Sequence, residues 1–219
     1  MKNQNNLKIA QISILAALST VLYFTLKFPL PFLFPSFLDI QFSNLPAIIG
    51  GFVFGPVAGA VIILIRTIIK LPFSSTMFVG ELADLIIGLA TVLTSSIIYR
   101  RMHTKKGAVI ALVCGSFAWV FVAVIANYLV LLPFYIQFYF GGEVQAFLGL
   151  LSIIPGINES NYLIRYTIFT AIPFNILLST LVSIITFLVY KRISILFKVQ
   201  DELVFPSKSK KTKVIEIKS

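Results

Sequence analysis

Long apolar runs separated by short polar or proline-rich interruptions make up most of this chain. Residues 9–26 form the first run. It ends in Lys27-Phe28-Pro29-Leu30-Pro31 rather than in a small-x-small cleavage site, and it is longer than the apolar core of a secretory signal, so it reads as a membrane helix. Residues 28–45 carry Pro29, Pro31 and Pro35 and are too interrupted for helix. Within them Asp39, Gln41 and Ser43 alternate with Ile40 and Phe42, the period of a short extended segment with one wet face and one apolar face. A lid over a pocket has this pattern. The next helices are expected at 46–54 and 57–71, divided by Gly55-Pro56 and both short for a full span. Others follow at 80–101, at 108–140 with Pro133 inside it, and at 162–190 around Pro173. Residues 141–161 read as a second outer stretch with room for a short helix.

These runs predict an all-α integral membrane protein, a six-transmembrane-helix bundle whose long first outer loop acts as a lid. Composition agrees: 58% of the 219 residues are hydrophobic and 12% charged, with a mean hydropathy of +0.97, far from a soluble domain. Several runs approach the ~20 residues needed to cross the hydrocarbon core. One membrane domain is expected over 1–198, followed by a basic tail over 199–219 that is too polar and too rich in Lys and Ser to pack.

The net charge of +10 raises the question of nucleic acid. Fourteen of the eighteen Lys and Arg lie at Lys2 and Lys8, at Arg100, Arg101, Lys105 and Lys106, or from Lys191 onward, and an even number of helices separates these places. The positive-inside rule then puts both termini and the central loop in the cytoplasm of a multi-pass plasma-membrane protein, and no nucleic-acid partner is expected. The single cysteine, Cys114, sits in an apolar run, which excludes a disulfide framework or a cysteine metal site.

Against this background Glu81, Asp84, Asn127 and Asn175 stand out, because a carboxylate or amide at bilayer depth costs a few kcal/mol unless it faces a partner or a cavity. Glu81 and Asp84, at i and i+3, share one face at the start of their helix. An acidic group there also complements the helix dipole. Arg66 and Lys70 are the intramembrane cations available to Asp84, so an ion pair stands beside ligand contact as its explanation. An amide offers both donors and an acceptor and can pair with a lactam or dione edge, although Asn also serves as a hydrogen-bonding link between membrane helices. Pro173, two residues before Asn175, frees a carbonyl and opens its helix locally. Gly50, Gly51, Gly55, Ala58, Gly59 and Ala60 allow close helix approach, and Phe32, Phe34, Phe37, Phe42, Phe78 and Tyr128 could stack on a flat ring.

Catalytic chemistry finds no support. His103, the one histidine, lies in a basic loop, and no GxxxxGK[ST] phosphate loop, HExxH, GxSxG or clustered metal-ligand pattern occurs. No catalytic residue, metal site or cofactor is expected. An ion-coupled secondary transporter using Glu81 and Asp84, or a membrane scaffold with its polar groups as interhelical links, remain open on residues alone.

The segment from Phe34 to Gly59, FPSFLDIQFSNLPAIIGGFVFGPVAG, resembles the first outer loop and following helices of the substrate-binding S components of energy-coupling-factor vitamin transporters. Val79-Gly80-Glu81-Leu82-Ala83-Asp84-Leu85, the stretch from Asn127 to Tyr135, and Ala171-Ile172-Pro173-Phe174-Asn175-Ile176-Leu177 agree, and the resemblance is strongest to the riboflavin-specific branch. It implies a six-helix bundle that binds a vitamin near its outer face, closes the first loop over it, and docks on a transmembrane coupling subunit and two cytoplasmic ATPases.

On that resemblance the riboflavin site involves Asp39, Phe42, Met77, Val79, Gly80, Glu81, Asn127, Tyr128 and Asn175. The dione edge lies near Asn127 or Asn175, the ribityl chain lies near 77–81, and Asp39 and Phe42 sit on the lid. The family's small-residue motif facing the coupling subunit falls at Ser13, Ala17 and Val21, with Ser13 replacing an alanine. The flavin branch carries Asn where this chain has Asp84, and Lys where it has Leu178. Arg165 is a substitute cation to consider. These departures leave another vitamin as the alternative ligand.

Overall fold

The computed structural model describes the backbone of residues 2–35 and 37–204 and the side chains of 4–35 and 37–196. Helix α1 spans Lys2–Thr25. Strands β1, Lys27–Pro29, and β2, Asp39–Gln41, pair antiparallel, with Lys27 opposite Gln41 and Pro29 opposite Asp39. The chain is therefore mostly rather than wholly helical: the proline-rich loop is tied at its base by a small ribbon. Ile40 is buried between half-buried Asp39 and Gln41, as the alternation requires. The pattern fails at Ser43, which is fully buried, because the chain turns inward there.

Helix α2, Leu45–Phe54, and helix α3, Pro56–Lys70, meet at Gly55, whose φ of 98° is open to glycine and lets the chain reverse before Pro56 starts α3. Helix α2 is buried from Pro46 to Phe52. It packs against α1 and α3 and against two later helices, α4, Val79–Arg101, and α9, Ile172–Val204. Close approach is built in at Gly59, where an added Cβ would lie 2.8 Å from the Ala47 carbonyl oxygen and 3.0 Å from Gly51 Cα.

Helix α5, Lys105–Ala126, packs on α4 and α9. It continues through a π-helical turn, Asn127–Leu131, into α6, Leu132–Tyr139. A short α7, Val144–Leu148, lies in the second loop. Helix α8, Tyr162–Tyr166, runs through a second π-helical turn, Thr167–Ala171, into α9. Both wide turns precede a proline, Pro133 and Pro173. Proline has no N–H for the carbonyl four residues back and its ring crowds that carbonyl, and one turn of i to i+5 bonding relieves both problems.

Among the described residues, five helical stretches are long and apolar enough to cross a membrane: Gln4–Thr25, Pro56–Phe73, Val79–Arg101, Lys105–Tyr139 and Tyr162–Leu196. The expected second span is too short. At ten residues and ~1.5 Å per residue, α2 reaches only half of a ~30 Å hydrocarbon core. Of the expected tail over 199–219, residues 199–204 continue α9 and 205–219 lie outside the described residues.

Candidate ligand-binding cavity

A cavity of about 300 Å³ opens among α1, α3, α4, α5 and α9 at the end of the bundle that carries the first loop. Arg100, Arg101, Lys105, Lys106, Lys191 and Arg192 lie at the opposite end of the same helices. Helix lengths fix this separation, because the cavity is walled by the last turns of α1 and α5 and the first turns of α4 and α9.

Two amides form part of the wall. Asn127 opens the first π-helical turn; its Nδ2 donates to the Ala123 carbonyl at 2.8 Å, and its Oδ1 accepts from the Tyr166 hydroxyl at 3.3 Å. Asn175, one turn into α9, repeats the arrangement: Nδ2 donates to the Ala171 carbonyl at 2.8 Å, and Oδ1 accepts from Trp119 Nε1 at 3.0 Å. The indole has only a donor, so it fixes the orientation of the Asn175 amide. A side-chain amide has two N–H donors and two acceptor lone pairs. After these bonds one N–H and one lone pair remain on each Asn for a ligand edge. Aromatic surface flanks them: Phe37 from the first loop stacks on Tyr166 with centroids 6.3 Å apart and planes 18° from parallel, and Phe174 meets Phe34 edge-on at 5.2 Å.

The acidic groups have different surroundings. Glu81 is 5% exposed, and its Oε2 accepts from Ser74 Oγ at 2.7 Å and Thr76 Oγ1 at 2.6 Å. Met77 and Phe78 adopt left-handed backbone with φ of 49° and 69°, a strained geometry for these residues. Ser74 Oγ holds the turn by accepting from the Thr76 and Phe78 amides. Gly80 is required by close approach, since a Cβ there would lie 2.8 Å from Thr76 Oγ1 and 3.2 Å from the Tyr135 hydroxyl.

Asp84 pairs with Arg66 at 2.9 Å and with Lys70, both through Oδ2. Arg66 is fully buried and also donates to Ser43 Oγ at 2.8 Å and Asn44 Oδ1 at 2.7 Å. Ser19 of α1 donates to the Ser43 carbonyl at 2.5 Å. This polar hub ties the end of the first loop to α1, α3 and α4. Two cations on one carboxylate leave a net positive charge at its edge, and Lys70 places that charge in the cavity wall, 4.6 Å from the Tyr23 ring centroid.

Of the residues expected from sequence, Asp39, Gly80, Glu81, Asn127 and Asn175 line the cavity, as do Asp84 and Leu178. Phe42, Met77, Val79 and Tyr128 do not. Phe42 packs into the core. Met77 and Tyr128 are exposed, the first because its left-handed backbone throws it outward, the second because it lies one residue, about 100° of helix, from Asn127. Arg165 donates to the Pro155 carbonyl and sits over the Phe169 ring, away from the wall. Sequence reading missed Trp119, Tyr166, Tyr135 and Phe147, and it named Lys70 only as a partner for Asp84. Trp119 was legible in principle, since 119, 123 and 127 share a helical face. Phe147 was not, because α7 reaches the cavity only through the fold of its loop. Ser13, Ala17 and Val21, at i, i+4 and i+8 of α1, are all exposed and take no part in packing the bundle.

Comparison with known proteins gives the family. The family model for the substrate-specific component of ECF transporters matches residues 7–190. The riboflavin transporter RibU of Staphylococcus aureus (strain TCH60) is 33% identical over 191 residues, covering 87% of this chain and 92% of that protein. The riboflavin transporter FmnP of Bacillus subtilis (strain 168) is 32% identical over 134 residues, covering 60% of this chain and 70% of that protein. A solved S component of a bacterial ECF transporter superposes with a TM-score of 0.67 at 31% identity, covering 90% of this chain and 99% of its own. With a bundle of apolar helices, a cavity at one end and a family model spanning most of its length, the chain belongs to the substrate-specific components of ECF transporters.

Proposed function

We propose that this chain is the riboflavin-binding membrane subunit of an ATP-driven vitamin uptake system. The relatives named as riboflavin transporters support the ligand. The observation that carries the reading to this chain is the pair of oriented amides, Asn127 and Asn175, each with one donor and one acceptor left over in an aromatic-walled cavity. A dione edge needs that pairing. At about 300 Å³ the cavity is also at the lower bound of sites that enclose drug-sized ligands. Riboflavin is transported cargo, and the subunit performs no chemistry on it.

In this reading the isoalloxazine lies between Phe37, Tyr166 and Trp119. The ribityl chain reaches toward Gly80 and Glu81, and the ribbon carrying Asp39 closes above it as a lid. Lys70 supplies the cation that Leu178 does not. The cavity end faces outward and the basic end the cytoplasm, with both termini inside; α2 and α3 pass as a broken pair to complete six passes. The exposed Ser13, Ala17 and Val21 stripe meets a transmembrane coupling subunit, which works with two cytoplasmic ATPases.

Purified protein from cells supplied with riboflavin is expected to carry a flavin absorption band. Once stripped, it is expected to quench added riboflavin stoichiometrically. A colourless protein that leaves riboflavin fluorescence unchanged at micromolar concentration refutes the ligand, and a panel of other vitamins then replaces it.

A further inference from the structure

Another cavity, on the lipid-facing side of the bundle, has a different character. It is a groove of about 410 Å³ between α5 and α9, floored by Leu112 and the hydroxyl pair Ser116 and Ser183, which lie 2.8 Å apart, and walled by Val109, Val113, Ile184 and Leu188. Ser183 can donate to Ser116, which donates in turn to the Ser179 carbonyl at 3.4 Å, and Thr180 adds the one further hydroxyl to an otherwise apolar lining that suits hydrocarbon. Val113, Ile184 and Leu188 are 63%, 52% and 65% exposed. Helix α1, with its outward stripe, packs on α2 and α3 instead.

Helical spacing then decides what continues the groove. Lys105 lies one turn before Val109 and Lys106 lies two turns before Val113. Lys191 and Arg192 lie three and four residues beyond Leu188. All four cations are exposed. They extend the two groove walls beyond the same end of α5 and α9, while α5 carries no acidic residue and α9 none before Asp201, nine residues beyond Arg192. The result is an apolar channel about a bilayer leaflet in length that ends in four positive charges. That is the complement of an anionic amphiphile lying along the helices.

We propose that this groove is a binding site for an anionic phospholipid: one acyl chain lies between α5 and α9 over Ser116 and Ser183, and the phosphate is held at Lys105, Lys106, Lys191 and Arg192. The site is remote from the vitamin cavity and stands independently of the ligand assigned there. Long Lys and Arg side chains near helix ends reach the headgroup layer readily, and each cation near an anionic surface strengthens binding about fivefold.

The test uses the full chain in an uncharged detergent, titrated with phosphatidylglycerol or phosphatidylcholine of identical acyl chains and read by native mass spectrometry as lipid adducts per protein. Wild type is expected to bind the first phosphatidylglycerol at least tenfold more tightly than phosphatidylcholine. Lys191→Gln and Lys105→Gln are each expected to cut that preference about fivefold, with Lys8→Gln, on α1, leaving it within twofold. Ile184→Trp, which fills the groove from its lipid-facing wall, is expected to lower affinity for both lipids about tenfold while riboflavin quenching stays unchanged. The proposal is overturned by equal binding of the two lipids to wild type, by a preference that survives the charge substitutions, or by an Ile184→Trp protein that binds as wild type does. A photo-crosslinker at position 113 that attaches in membranes to polypeptide instead of lipid also overturns it, and the groove is then a protein interface.

Discussion

Trp119→Phe is the most informative single change. It keeps an aromatic ring in a site that is 3% exposed and removes the N–H that bonds Asn175 Oδ1 at 3.0 Å. Leaving a buried acceptor without its partner costs about 1–3 kcal/mol. Part of that falls on the free protein and part on the ligand complex, because an unpinned amide can rotate its N–H and carbonyl out of register with the ligand edge. A share of about 1.4 kcal/mol in the complex is a tenfold loss of affinity. The assay is quenching of riboflavin fluorescence by Trp119→Phe, Asn175→Ala and the double variant. If Trp119 acts through Asn175, the double variant is no weaker than Asn175→Ala, so the coupling term equals nearly the whole Trp119→Phe effect. Additive losses, or a Trp119→Phe affinity within twofold of wild type, refute the reasoning. A melting temperature measured on each ligand-free variant separates positioning from general destabilisation. Because the chain contains one tryptophan, wild-type tryptophan emission also reports the cavity directly and is expected to fall as riboflavin binds.

Asp84→Asn is expected to destabilise the protein by about 3 kcal/mol, because Arg66 and Lys70 then stay buried without a counter-charge; adding Lys70→Met is expected to recover part of that, read as melting temperature in detergent. Gly80→Ala is expected to weaken riboflavin binding about tenfold by displacing Thr76, whose hydroxyl lies 2.8 Å from the new Cβ and bonds Glu81; unchanged affinity means that the turn before α4 does not shape the site. Ala17→Trp is expected to leave binding by purified protein unchanged and to abolish uptake by cells, since the position is exposed on α1; full uptake removes the stripe from the coupling surface.

Some parts of the site were readable because the chain's solvent is hydrocarbon. Asn127, Asn175, Glu81 and Asp84 each carry a solvation cost that a lipid-facing residue cannot meet, so their inward placement follows from their chemistry. Ser13, Ala17 and Val21 came from the family resemblance, and their i, i+4, i+8 spacing says only that they share one face of α1. Other parts could not be read. The alternation begun at Asp39 puts Phe42 with Ile40 on the apolar face, where it packs into the core, yet Ser43 breaks the pattern because Ser43 and Asn44 are drawn inward toward Arg66. Pro133 and Pro173 announce a disturbed helix, but the wide turn that absorbs each one depends on neighbouring helices.

The apolar runs and their breakers determined the membrane environment, the helical class and the basic end of the bundle, because burial in lipid acts on each residue separately and leaves its mark in composition and period. The tertiary structure decided that α2 stops at ten residues, that Asp84 belongs to two cations, and that Trp119 and Tyr166 orient the two amides. Those facts depend on which faces of distant segments meet, and a contact such as Trp119 to Asn175 spans 56 positions of chain that no local pattern encodes.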